Sequence, residues 1–120
     1  MIEKTGFGYI VVNGVKYDHD IVVHVDGKVT KRKKELSKPY KKGFHTPLAP
    51  PEIEEILAEK PEIIVIGSGQ YGALPVLNET IKLLEEKKVK YIIEKTPKAI
   101  EEYNKLSKER KVAAIFHVTC

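Results

Sequence analysis

Ile63-Ile-Val-Ile-Gly-Ser-Gly-Gln-Tyr-Gly72 decides the fold. Four β-branched residues run into two closely spaced glycines, and an amphipathic helical pattern begins shortly afterwards. Strand, turn and helix in that order is how α/β domains present backbone N–H groups to an anion. Gly67, Gly69 and Gly72 spell G-x-G-x-x-G, the dinucleotide fingerprint taken literally. Pro75 argues against that reading, because it places the helix start three residues past the last glycine and removes a donor. The true fingerprint folds its glycines into the helix start. No NAD(P) or FAD cofactor is therefore expected. Gly67, Ser68, Gly69, Gln70 and Tyr71 do stand at the carboxyl end of a buried strand, where α/β sheets hold ligands, so they are candidates for a small anion or metabolite. The competing reading is that the glycines only tighten the turn and Tyr71 caps the core.

Working downstream, the pattern stays regular. Val76, Leu77, Ile81 and Leu84 fall on one helical stripe, and Val89–Ile93 is the next strand. Thr96-Pro97 reads as an N-cap followed by proline at the first helical position. Ala99, Tyr103 and Leu106 line one face of that helix, and Val112–Phe116 is a last buried strand. Pro51 opens a shorter helix ahead of the quoted stretch, with Glu52, Glu54 and Glu55 at its positive end and Pro61 closing it. Alternating helices and apolar strands imply a parallel or mixed sheet with right-handed crossovers.

Upstream the signals are those of hairpins. Phe7–Val12 leads into Asn13-Gly14 and a return strand Val15–Tyr17, and Ile21–Val25 leads into Asp26-Gly27 and Lys28–Arg32. Asn-Gly and Asp-Gly supply the positive φ that tight hairpin turns need. The expectation is one three-layer α/β domain over residues 1–120. It divides into a hairpin unit at 1–32, a Pro/Gly-punctuated basic loop at 33–51 and an αβαβαβ unit at 52–120.

Charge is concentrated in one place. Lys31, Arg32, Lys33, Lys34, Lys38, Lys41 and Lys42 face a single acid, Glu35, which puts +6 into twelve residues of a chain whose net charge is +4. As a binding surface this patch is expected to meet the acidic surface of a protein partner; the competing reading is a solvated, lysine-rich strand and loop that blunts an exposed sheet edge. Nucleic acid is the weaker alternative, because only one of the seven is Arg and Arg does most specific base reading. Of 21 basic residues 19 are Lys, Glu far outnumbers Asp, and Gln occurs once, a bias typical of hyperthermophiles. No apolar run reaches the roughly 18–20 residues of a membrane span, and no secretory leader is visible, so a cytoplasmic protein is expected. The single Cys120 excludes an intrachain disulfide and a Cys-based metal site.

Residues for chemistry are scarce. His19, His24, His45 and His117 lack metal-ligand spacing. Asp18-His19-Asp20 reads as a turn, and His24 and His117 sit in strand patterns. His45, between the basic patch and the helices, is the one histidine placed to line a site. No catalytic residue and no metal is assigned.

Several segments resemble a family of small α/β domains that includes the adipogenesis-associated domain protein and a mitochondrial respiratory complex I assembly factor. Ile66-Gly67-Ser68-Gly69 is similar to its I-G-T-G turn, and Lys42-Gly43 with His45 to its basic-Gly-His segment. Thr96, Tyr103-Asn104, Leu106, Glu109, Arg110 and Val112-Ala-Ala114 match its C-terminal half in order and spacing. Lys95 stands where the family usually has Asp. The resemblance implies a compact domain with a mixed sheet and a binding or scaffold role without established enzyme activity. A non-enzymatic domain, monomeric or weakly self-associating and acting through protein partners, is the leading expectation. A metabolite binder or unrecognised hydrolase at the glycine turn, with His45 converging on it, is the rival.

Overall fold

A computed structural model describes all residues from 1 to 120. The strands are β1 (Ile2–Gly6), β2 (Tyr9–Val12), β3 (Val15–Tyr17), β4 (Ile21–Val23), β5 (Val29–Lys31), β6 (Ile63–Ser68), β7 (Lys90–Glu94) and β8 (Val112–His117). The helices are α1 (Pro50–Leu57), α2 (Asn78–Glu86) and α3 (Thr96–Leu106).

The quoted stretch becomes β6, the buried second strand in from one edge of a five-stranded sheet ordered β5-β4-β8-β6-β7. β6 runs parallel to β7 and β8, while β4 lies antiparallel to both β8 and β5. Every residue of β6 and β8 is buried, as expected of strands covered on both faces. Their side chains split by parity. Ile64, Ile66, Ala113 and Ile115 meet Ile53, Ile56 and Leu84 of α1 and α2 on one face. Ile63, Val65, Ala114 and Phe116 meet Ala99, Ile100 and Tyr103 of α3 on the other. A smaller antiparallel sheet, β1-β2-β3, adds Ile2, Ile10 and Val12 to that second face, completing three layers.

The mixed three-layer architecture is the expected one, but four details differ. The two hairpins do not form one unit: β4 and β5 extend the main sheet, because Ile21 and Val23 have a buried partner in β8. β1 was not expected, and a Phe7-Gly8 turn with φ +87° at Gly8 joins it to β2. Residues Lys34–Leu36 and Lys38–Tyr40 of the basic loop form two short 3-10 turns. α2 starts at Asn78 and not at the expected Pro75, because Leu48 N–H binds Pro75 O, Leu77 N–H binds Leu48 O, and Val76 bridges Leu48.

Candidate functional site

The glycine turn leaves β6 against the segment that follows β8. Gly69 N–H donates to Thr96 Oγ1 at 2.9 Å, and Gln70 N–H to Thr119 O at 2.7 Å. Tyr71 N–H and Ala73 N–H both donate to Cys120 O, at 2.9 and 3.0 Å, and Leu74 N–H returns to Ser68 O. The amides that an anion would use are thus occupied by the chain itself. The contacts are close: a Cβ on Gly69, whose φ is +104°, would lie 2.4 Å from the Cys120 carbonyl carbon, and one on Gly67 2.8 Å from the Phe116 ring. Glycine is required here so that the chain segments at this end of the sheet can meet. Ser68 is buried and donates to Glu94 O, and Gln70 Nε2 donates to Thr5 Oγ1. Tyr71 does not cap the core; it is exposed and tilts against Phe7, with ring centroids 6.2 Å apart. Thr96 is not an N-cap: its hydroxyl turns inward, accepting from Gly69 and donating to His117 O at 2.6 Å.

Next to this turn lies a buried polar cluster that no contiguous motif announces. Arg32, 3% exposed, sends Nη1 to Asp20 Oδ2 at 3.0 Å and Nε and Nη2 to the two Glu52 oxygens at 2.8 and 2.9 Å. Nη2 also donates to Pro47 O at 3.0 Å. Ser37 Oγ donates to Glu52 Oε2 and accepts from Ala49 N–H, which pins the basic loop to the start of α1. Asp20 Oδ2 accepts from His117 Nδ1 at 2.8 Å, and Asp20 Oδ1 from Val118 N–H at 2.9 Å. The far ring nitrogen, His117 Nε2, lies 3.2 Å from Thr119 Oγ1. Every fully buried side-chain nitrogen and oxygen in the molecule has a partner.

Electrostatics follow from that geometry. Burial alone pushes the Asp20 carboxyl up, but the His117 hydrogen bond and charge, the Val118 N–H and the Lys34 ammonium outweigh it and hold Asp20 well below the usual carboxylate range. Burial likewise disfavours charge on Arg32, yet Glu52 and Asp20 more than compensate and raise its pKa. An Asp–His–Thr chain is the shape of a proton relay. Here its members bond to one another and to the backbone, and their joint effect is to clamp β4, β8, α1 and the basic loop together.

Arg32 therefore leaves the basic patch, and this corrects the reading of it as a surface residue. Lys31, Lys33, Lys34, Lys38, Lys41 and Lys42 remain exposed. Lys33 pairs with Glu55 at 3.1 Å, and Lys34 Nζ reaches to 3.6 Å from Asp20. Lys31, Lys38, Lys41 and Lys42 have no acidic side chain within ion-pair distance. His45 is half-buried and lines a cleft of about 530 Å³ with Pro39, Tyr40, Phe44, Pro47 and Leu77, into which no residue of the 67–72 turn projects. It does not converge on Ser68. Phe44, in the same loop, is 99% exposed. His24 is held between Glu59 and Thr30, and no group of three metal-ligating side chains occurs. No helix is long and apolar enough to cross a membrane.

Fold and site together define a small mixed α/β domain with two sheets and a closed polar centre. A family model described as "Protein of unknown function (DUF498/DUF598)" matches residues 2–117, and the chain belongs to that family. It is similar to the conserved hypothetical protein PH1505 from Pyrococcus horikoshii OT3, at 36% identity and a TM-score of 0.90 over 100% of this chain and 99% of that one. It is also similar to MT938, at 43% identity and a TM-score of 0.85 over 100% and 98% of the two chains. A Mth938-like domain from Bordetella pertussis, solved by NMR in solution, shares the fold at 20% identity and a TM-score of 0.63, over 98% and 84%.

Proposed function

We propose that the protein is a non-enzymatic binding domain that holds a protein partner on the 38–47 loop. The observation that carries this is Phe44. A phenyl ring left 99% exposed, beside a cleft of about 530 Å³, keeps a large apolar side chain in water without covering anything in its own fold. Prolines 39, 47 and 75 stiffen the cleft walls, so little ordering cost is added on binding. Lys38, Lys41 and Lys42 share the loop with the ring, so the matching partner offers an apolar pocket or aromatic anchor flanked by Asp and Glu. The resemblance to the adipogenesis-associated domain protein and to a complex I assembly factor, whose relatives act in cell differentiation and complex assembly, supports a scaffold role. The closed hydrogen bonding around the glycine turn gives the rival, a metabolite site there, no amide to work with.

The test compares captured partners. A protein cross-linked to the wild-type loop should be lost with Phe44→Ala and with Lys38, Lys41 and Lys42 all changed to Glu, while the fold survives because all four side chains are exposed. Binding should weaken as salt rises. Equal capture by all three proteins would refute the proposal, and displacement of the partner by a polyanion with a steep salt slope would point to nucleic acid instead.

A further inference from the structure

β7 is the outer strand of the five-stranded sheet, hydrogen-bonded to β6 along one side and unpaired along the other. The remaining sheet margins are defended against pairing. β5 is three residues long and sits among Lys28, Lys31 and Lys33. β1 is capped by Asn104, which accepts from Ile2 N–H at 2.9 Å and donates to Ile2 O at 2.8 Å as a neighbouring strand would. β3 is three residues long with Val15 and Lys16 exposed. Short edges, lysines and covering groups are how proteins blunt such edges. At five residues β7 is longer than β3 and β5, it lacks the cap that Asn104 gives β1, and its only lysine stands at one end. Its centre, Tyr91-Ile92-Ile93, is half-buried, its ends are exposed, and beside it opens a hollow of about 450 Å³ lined by Ile63, Ile92, Leu106 and Arg110 among others.

The direction of the backbone and the charges specify what fits. Lys90 N–H points inward, to Glu62 O at 3.3 Å. Successive amides alternate, so those of Tyr91 and Ile93 point outward. The strand carries Lys90 at one end and Glu94 at the other, with only uncharged residues between them. Turned around a two-fold axis at Ile92, it is complementary to itself. Tyr91 would exchange both backbone hydrogen bonds with Ile93 of a second copy. Lys90 would face Glu94 of that copy, twice by symmetry, at positions where opposite side chains lie closest. Ile92 would meet its own counterpart over the hollow.

We propose that β7 is a homodimer edge: two copies pair antiparallel about Ile92, joining their sheets into one continuous sheet. The contact is small, at the low end of specific interfaces, so the dimer is reversible and weakened by salt. It is independent of the Phe44 loop.

The experiment is sedimentation velocity on the full chain over about a hundredfold range of concentration at low salt. The wild type should move from monomer to dimer. Lys90→Glu and Glu94→Lys should each weaken association roughly tenfold or more, because each turns two attractive cross-strand pairs repulsive. Combined, they restore complementarity with the signs exchanged, and the dimer should return to near wild-type strength. Phe44→Ala should dimerise normally, and melting temperatures of the charge variants should be unchanged because both side chains are exposed. A wild type that stays monomeric throughout, single variants that dimerise like the wild type, or a double variant no better than the singles would overturn the proposal.

Discussion

Asp20 concentrates more of the structure than any other side chain. It accepts from Arg32, His117 and Val118 while almost wholly out of water, and its folded-state pKa lies below that of an unfolded aspartate. A depressed carboxylate contributes stability that is fully present above its unfolded value, near pH 4, and is lost as pH falls through the folded value. Urea midpoints of the wild type should therefore decline steadily below about pH 5. Asp20→Asn, weaker at neutral pH, should follow a flatter curve, and parallel curves for the two proteins would remove Asp20 as the source. Arg32 is the complementary test. Arg32→Ala leaves Glu52 and Asp20 buried with no guanidinium between them, which should cost about 3–5 kcal/mol, far above a surface Lys→Ala change. A loss below about 1 kcal/mol would mean that Arg32 reaches solvent after all.

At the scale of elements, the glycine turn and the tail behind it form one packed unit. Gly14 and Gly69 both have positive φ, but nothing stands near a Cβ at Gly14, whereas at Gly69 it would strike the Cys120 backbone and the His117 ring. Gly14→Ala should cost about 1 kcal/mol for conformation alone, and Gly69→Ala at least ~2 kcal/mol more from the collision. Equal melting temperatures for the two variants would show that the tail yields. Elements with a local signature were legible in the sequence: Asn13-Gly14 and Asp26-Gly27 mark hairpins, and the β-branched run 63–66 marks a strand buried on both faces. β1 carries no such signature, because Glu3, Lys4 and Thr5 form a polar run and the strand exists by pairing with β2 and Asn104. The true start of α2 was hidden for the same reason. A bridge to Leu48, a distant residue, draws Val76 out of the helix its periodicity fits.

For the whole molecule, the polar centre is what the sequence conceals. Asp20 looks like a turn residue, Arg32 like part of a patch, Glu52 like a helix-start acid and His117 like a strand residue, and only the sheet order brings them together. The glycine spacing, by contrast, is legible, and its amides are bonded within the chain. Millimolar NAD, NADP or FAD should leave the melting temperature where it is, and a rise of several degrees would show a cofactor site. The same centre also bears on the order of assembly. Asp20 finds its histidine 97 positions along the chain, and β4 finds its sheet partner in β8, so both closures carry the entropy of a very long loop. The β4–β5 hairpin can form early by itself and already holds Arg32 against Asp20, yet until β8 is in place Asp20 lacks its His117 and Val118 partners. Folding should thus proceed from the β6–β7–β8 core outward, with the hairpin arriving last. A nascent chain that has not yet reached Val112 has neither an edge for β4 nor a donor for Asp20 from His117 or Val118, and must wait.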